Sequence, residues 1–422
     1  MHVCGRPAGV PIPSFVALLF MAVCLAAAAG PADEMSDRWP PRHEIDESRA
    51  AEALAACGRT WSGADGWRAR AEVIRGHLRT VLGLEPANPR PPATATAHGR
   101  RELDGYVVSN LLLRTAPGLY VAANLYEPMG YEGPRPAVLC PHGHFRGRGE
   151  NPEGRFQHDY QRLCATLARM GAVVLTWDMV GWGETTYLPH AVPQTTILQT
   201  WNSIRAIDCV SALPAVDRER IAMTGSSGGG TQTFLACCLD DRVAAAVPVV
   251  MVSAHWFGGC PCESGLPIHA GPTHRTSNVE ITACIAPRPL LLVSCGGDWT
   301  RNTPLVEYPY LRSVYEVLGA ADACAMTHLS EEGHDYGPSK RSATYRFLAR
   351  HLGLDLAVVT GTDGGVDESP VTILPRSDLC ALTDNQPLPA DAVADHAAAV
   401  ASIRAAHQPR SPSAGSEGDP PR

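Results

Sequence analysis

The chain has 422 residues, 45% hydrophobic and 18% charged, with a net charge of −8. This balance belongs to a globular protein with a substantial core rather than to a disordered or fibrous one, and the length suits one large domain with appended ends, since single cores stop growing at roughly 250–300 residues. The acidic charge gives no basic field for a phosphate backbone, which argues against nucleic acid as a partner, and Lys340 is the sole lysine, which leaves Schiff-base chemistry and phosphate loops almost without a candidate.

In chain order, Arg6 precedes an apolar run from Phe15 to Ala29 that ends in small residues. The run is shorter than the about 20 residues of a spanning helix, so residues 1–29 read as a secretory signal peptide cleaved near Ala27 to Gly30, with a retained N-terminal anchor as the alternative. Cys24 follows Met-Ala-Val, a poor lipid-attachment box. The expectation is an exported protein, periplasmic or extracellular, with no membrane span after cleavage. Twelve cysteines follow the signal. Cys140, Cys209, Cys237, Cys238 and Cys295 sit in apolar segments, where a free thiol behaves as a small hydrophobe. Export permits disulfides without assigning them. Cys260 and Cys262 form a C-x-C in a glycine-rich loop: half of a metal site, a loop feature or a bridge to another cysteine, with no second pair at zinc-finger spacing.

Residues 30–104 read as a linker and a helical lead-in, with helices over 47–57 and 66–84. The second carries Trp67, Ala71, Ile74, Leu78 and Leu82 at helical spacing. A catalytic domain is expected over 105–352. It opens with a hairpin (106–114 and 120–126) and continues with short apolar strands at 137–140, 172–177, 221–224, 245–251, 290–295 and 325–329. Each is the kind of run a strand covered on both faces produces. Helices are predicted over 157–170, 195–213, 228–239, 305–318 and 339–352. Strand and helix in alternation specify an α/β fold with a mostly parallel central sheet and helices on both faces. Residues 353–407 read as an extension with a weak strand signal at 371–374, and 408–422, rich in Ser, Pro and Gly, as a disordered tail.

Gly225-Ser226-Ser227-Gly228-Gly229 lies between a predicted strand and a predicted helix. A nucleophile on a sharp strand-to-helix turn needs small neighbours, because bulky ones would collide with both elements. Ser227 is therefore the candidate nucleophile; the competing reading, an anion-binding helix start, lacks the phosphate-loop lysine and a G-x-G-x-x-G. A serine hydroxyl needs a base, and His334, in the loop Glu-Glu-Gly-His-Asp-Tyr-Gly after the last strand, fits. Asp298, in Gly-Gly-Asp-Trp after the preceding strand, completes the chain order serine, acid, histidine and would hold the imidazole tautomer. Its competitors are Glu280, which precedes that strand, and Asp335, adjacent to the histidine. Oxyanion donors are expected from the amides of Gly228 and His144, with Gly143 allowing the turn; an ordinary strand-end turn is the alternative at 143–144. Asp178, with Gly181 and Gly183, reads as a structural turn, and Asp217 as shaping the approach to the nucleophile strand. Trp256, Glu263, His255 and Trp299 lie in loops at the presumed site edge, as substrate contacts or as packing.

With these residues in place, the stretch from Tyr120 to Leu352 resembles bacterial acetyl xylan esterases and dienelactone hydrolase relatives of the α/β-hydrolase superfamily. The resemblance rests on NLYEP, PAVLCPHGH, RAIDCVSALPAVDRERIAMTGSSGGGTQT, APRPLLLVSCGGDWT and EEGHDYG; the lead-in ending VLGLEP also looks like that of exported esterases. It departs from the family where Gly228 replaces the glutamine often found after the nucleophile, and where Ser227 stands in place of the cysteine of strict dienelactone hydrolases. The resemblance implies an α/β-hydrolase fold and a carboxylic-ester hydrolase, needing no cofactor or metal, that removes acetyl or related groups from carbohydrate. A peptidase with the same triad and a non-catalytic binding protein on the same fold are the alternatives.

Overall fold

The computed structural model describes residues 44–84, 93–147, 152–271 and 274–407; the expected signal peptide and the 408–422 tail lie outside them. Nine strands form one sheet in the order β1-β2-β3-β5-β4-β6-β7-β8-β9. They are β1 Thr94–Leu103, β2 Tyr106–Ala116, β3 Leu119–Pro128, β4 Arg135–Leu139, β5 Val173–Trp177, β6 Val216–Ser226, β7 Val243–Val249, β8 Leu290–Cys295 and β9 Cys324–Leu329. The first three run antiparallel, β3 joins β5 antiparallel, and from β5 onward every pairing is parallel. This is the α/β-hydrolase arrangement expected from the sequence, and every strand expected between 105 and 352 is present.

The short apolar runs are continuous because both faces are covered. Side chains alternate across a strand, so Leu290 and Leu292 of β8 enter one apolar cluster while Leu291, Val293 and Cys295 enter the other. In β4, Ala137 and Leu139 face the first cluster and Val138 the second. β1 has no strand signal in the sequence, for a physical reason: most of Thr94–Leu103 is exposed, so it carries no apolar pattern and is held by its ladder to β2.

The helices follow the predicted spans within a few residues. Gly63–Leu82 buries Trp67, Ala71, Ile74, Leu78 and Leu82 and ends at Gly83 with φ 64°, the left-handed conformation that glycine adopts without a Cβ penalty. Glu47–Gly58 starts at Asp46, whose carboxylate accepts the Ser48 and Arg49 amides. Beyond 352 the sequence reading needs two corrections. The expected strand at 371–374 does not pair in a ladder: Leu374 N–H donates to the Gln161 side chain at 2.8 Å and Thr372 O accepts from Tyr106 Oη. A helix without a clear sequence signal spans His396–His407 and buries Ala399 and Ile403.

The segment before that helix lies over the antiparallel strands. Asn110 donates to Asp378 O and Cys380 O, Asn124 donates to Leu379 O, and Glu184 accepts the Ala381 and Leu382 amides at 2.8 Å. At the centre Arg155 is fully buried, 2.8 Å from Asp178 and bonded to Glu184 and Asn124. Among the described residues no helix is long and apolar enough to cross a membrane.

Candidate active site

β6 ends at Ser226 and the helix Gly228–Leu239 begins two residues later, with Ser227 on the turn at φ 56°, ψ −125°. A non-glycine residue held there costs on the order of 1–3 kcal/mol and persists only when its surroundings over-determine it. They do. A Cβ at Gly225 would lie 2.3 Å from Pro141 O, and one at Gly229 2.1 Å from the same atom, so the spacing of small residues read from the sequence is a steric necessity. Ser227 N–H donates to Val249 O at 3.0 Å, tying the turn to β7. Tyr160 Oη accepts from Ser226 N–H at 3.2 Å and lies 3.0 Å from Ser226 Oγ, buttressing the turn from below.

His334 and Asp298 come together across two loops. Nδ1–H donates to Asp298 Oδ2 at 2.6 Å, which directs Nε2 to the opposite side of the ring. The other carboxylate oxygen accepts from Thr300 N and Thr300 Oγ1, both at 2.6 Å. Burial alone would push this carboxyl up, but the His334 and Thr300 hydrogen bonds outweigh it and hold Asp298 below the usual carboxylate range. The loops interlock because glycine lets them: a Cβ at Gly296 would sit 2.0 Å from Ser330 O. Lys340, completely buried, bonds Glu332 and Asp335 at 2.8 Å each and fixes the histidine loop from behind.

The two rival carboxylates are engaged elsewhere. Glu280 is braced by Arg70 at 2.6 Å and Tyr310 at 3.0 Å; Asp335 accepts from Gly337 N at 2.7 Å in addition to Lys340.

The loop after β4 flanks the elbow. A Cβ at Gly143 would meet Ser226 O at 2.6 Å, and one at Gly228 would lie 2.5 Å from the His144 ring, so 143–144 and 228 are in close contact beside Ser227. His142, buried and pushed down to about 3 by desolvation, accepts Met179 N–H at Nε2. Its Nδ1–H therefore donates to Gly143 O, 2.8 Å away, and anchors the loop. A cavity of about 610 Å³ opens here, with His144, Phe145, Arg146, Trp182, His334 and Tyr336 in its wall.

The remaining sequence candidates separate by environment. Trp256 and Trp299 stack at 4.7 Å, and Trp299 lies 4.4 Å from the His334 ring. Glu263 is buried, with its carboxylate accepting from Thr231 Oγ1 and Gly259 N at 2.9 Å. His255 is tied to Ser253 Oγ at 2.9 Å. Asp178 pairs with Arg155 and accepts Glu184 N–H at 2.7 Å; Asp217 accepts Arg220 Nε at 2.6 Å, shaping the start of β6. Sequence reasoning missed Thr300 and Tyr160, which touch the site through carboxylate and backbone; nothing local in their patterns marks them. It also missed His190, which stands 4.8 Å from the His144 ring.

Residues 200–256, which contain the elbow, match the family model "Acetyl xylan esterase (AXE1)". The solved structure of methylesterase BT1017 is similar with 36% identity and a TM-score of 0.76, covering 85% of this chain and 79% of that one. The protein described as "Putative hydrolase YtaP" of Bacillus subtilis is 28% identical over 302 residues, 66% of this chain and 98% of its own length. A 4-O-methyl-glucuronoyl methylesterase of Wolfiporia cocos is 27% identical over 187 residues, 36% of this chain and 45% of its own. With a mostly parallel sheet, a strained serine elbow and a methylesterase relative of 36% identity, the chain belongs to the esterases of the α/β-hydrolase fold and is a serine hydrolase of carboxylic esters.

Proposed function

We propose that Ser227 is the nucleophile, His334 the general base and Asp298 the residue that orients it, in an exported enzyme that cleaves ester groups on carbohydrate. The observation that carries the reading is the His334–Asp298 hydrogen bond of 2.6 Å, with His334 in the wall of the cavity that His144, packed against the serine elbow at Gly228, also lines. Ser227 Oγ attacks the ester carbonyl as His334 takes its proton, and the imidazolium is stabilised by Asp298. The amides of Gly228 and His144 receive the oxyanion. The proton returns to the departing alkoxide, and water repeats the sequence to release the acid. Export rests on the apolar run from Phe15 to Ala29.

Methyl esters of acidic sugars are the favoured substrate, ahead of acetyl groups. The relative that is 36% identical is a methylesterase, and the exposed guanidinium of Arg146, 4.7 Å above the Trp182 ring in the cavity wall, can attract carboxylates along an acidic polysaccharide. Incubation of the mature protein with methyl-esterified polyuronate and with acetylated xylan, beside Ser227→Ala, tests both levels. Methanol release that vanishes in the variant supports the full reading, acetate release alone replaces the substrate class, and activity retained by Ser227→Ala rules out the nucleophile.

A further inference from the structure

Behind the 143–144 loop, four side chains from three separate segments converge. His144 follows β4, His190 lies in the long connection after β5, and Cys260 and Cys262 lie in the connection after β7. One ligand atom from each, two imidazole nitrogens and two sulfurs, all fall within 4.8 Å of one another. Two contacts draw the set together: His144 Nε2 is 3.0 Å from Cys262 Sγ, and His190 Nε2 is 3.4 Å from Cys260 Sγ.

We propose that His144, His190, Cys260 and Cys262 form a closed tetrahedral site for a divalent metal of the zinc type. Two nitrogens and two thiolates are a donor set that suits zinc, and its bond lengths of about 2.0–2.1 Å to nitrogen and 2.3 Å to sulfur place the ligand atoms of a tetrahedron roughly 3.3–3.8 Å apart. The four atoms lie within 4.8 Å of one another, so small shifts reach that spacing, with the two sulfurs, joined here as a disulfide, parting on reduction. His190 is oriented as metal-bound histidines are: Nδ1–H donates to Val180 O at 2.6 Å, which leaves the Nε2 lone pair aimed at the cluster. Cys262 N–H donates to Cys260 Sγ at 3.2 Å, a bond that stabilises a thiolate. Trp182 packs against both histidine rings, at 5.8 and 5.7 Å. Two thiolates neutralise the dication.

With four protein ligands the site has no open position, so the metal is a fastener rather than a reagent. It joins the loops after β4, β5 and β7, and one ligand, His144, is the residue whose amide receives the oxyanion. The metal would hold that amide in place. No second cysteine pair is needed, which is why cysteine spacing carries no zinc signature and why no metal was expected; the histidines are supplied by other segments.

In the structure Cys260 and Cys262 are joined as a disulfide, so the ligating form is the reduced one. Reduction takes two electrons and two protons from a thiol reductant, whose two thiols become a disulfide. Binding of the dication then releases two protons as both thiols become thiolates, so affinity falls in acid.

The full chain, purified with and without a phosphine reductant, is analysed for metal by mass spectrometry and refilled with cobalt(II), beside Cys260→Ser, Cys262→Ser and His190→Ala. The expected result is one zinc-type ion per reduced chain, a thiolate-to-cobalt charge-transfer band with intense tetrahedral ligand-field bands, and at least a tenfold loss of affinity in each variant. Should a variant fail to fold, the cobalt spectrum of the wild-type chain decides. A reduced, folded wild-type chain that takes up neither zinc nor cobalt, or variants that keep full affinity, overturns the site. These readouts are independent of esterase activity, so failure of the ester reading leaves them unaffected.

Discussion

His334 Nδ1 and Asp298 Oδ2 lie 2.6 Å apart although 36 residues and a whole strand separate them. The contact forms because β8 and β9 are parallel neighbours, which puts the loops at their carboxyl ends side by side. Loss of the proposed triad should abolish turnover: Ser227→Ala and His334→Ala by several orders of magnitude, and Asp298→Asn by about 10⁴-fold, because the amide stabilises the wrong tautomer. Steady-state ester hydrolysis on folded protein is the check, with fluorophosphonate labelling abolished in Ser227→Ala and strongly slowed in His334→Ala, which lacks the activating base.

The lowered pKa of Asp298 also makes stability depend on pH. An unfolded aspartate titrates near about 3.9, and the folded one lower. Its stabilising contribution is therefore complete above about pH 4 and is lost as the pH falls through the folded value. Melting temperatures measured from pH 2 to 7 should fall more steeply below about pH 4 for the wild type than for Asp298→Asn.

Two glycine substitutions should act with opposite sign. Gly229→Ala drives a Cβ to 2.1 Å from Pro141 O, a backbone atom that cannot give way, and should cost about 2–4 kcal/mol of stability as well as the activity. Gly76→Ala, inside Gly63–Leu82 with nothing within 4 Å of the new atom, should stabilise by about 0.4–1 kcal/mol. Urea titrations of the two variants distinguish these outcomes.

Arg155 is the sole cation bonded to both Asp178 and Glu184 among the described ion pairs. Arg155→Met strands two buried or nearly buried carboxylates and should cost about 3–5 kcal/mol in chemical denaturation. The 376–382 segment, whose carbonyls and amides are bound to the same network, should then become the first part cut in limited proteolysis.

Lys340 touches no substrate, yet it holds both carboxylates that flank His334 in sequence. Lys340→Met should keep the fold and lower kcat by about 10–100-fold with KM little changed, since small displacements of a base are costly to the chemical step. Equal losses in kcat and binding would contradict this positioning role.

Much of the molecule is written locally. The alternation that sends Leu290 and Leu292 to one face and Leu291 and Val293 to the other is a period-2 property that any strand buried on both sides must show, and the helix faces are equally periodic. The small residues around Ser227 are dictated by clashes at the turn itself, so the elbow too is legible from the order of residues. Polar partnerships are different. Position after its strand already favoured Asp298 as the partner of His334, but only the packing gives Glu280 to Arg70 and Asp335 to Lys340. β1, the helix His396–His407 and the convergence of His144 and His190 on Cys260 and Cys262 were likewise decided by tertiary structure. Each depends on atoms brought close by chain reversals far apart in sequence, and no periodicity records such a distance.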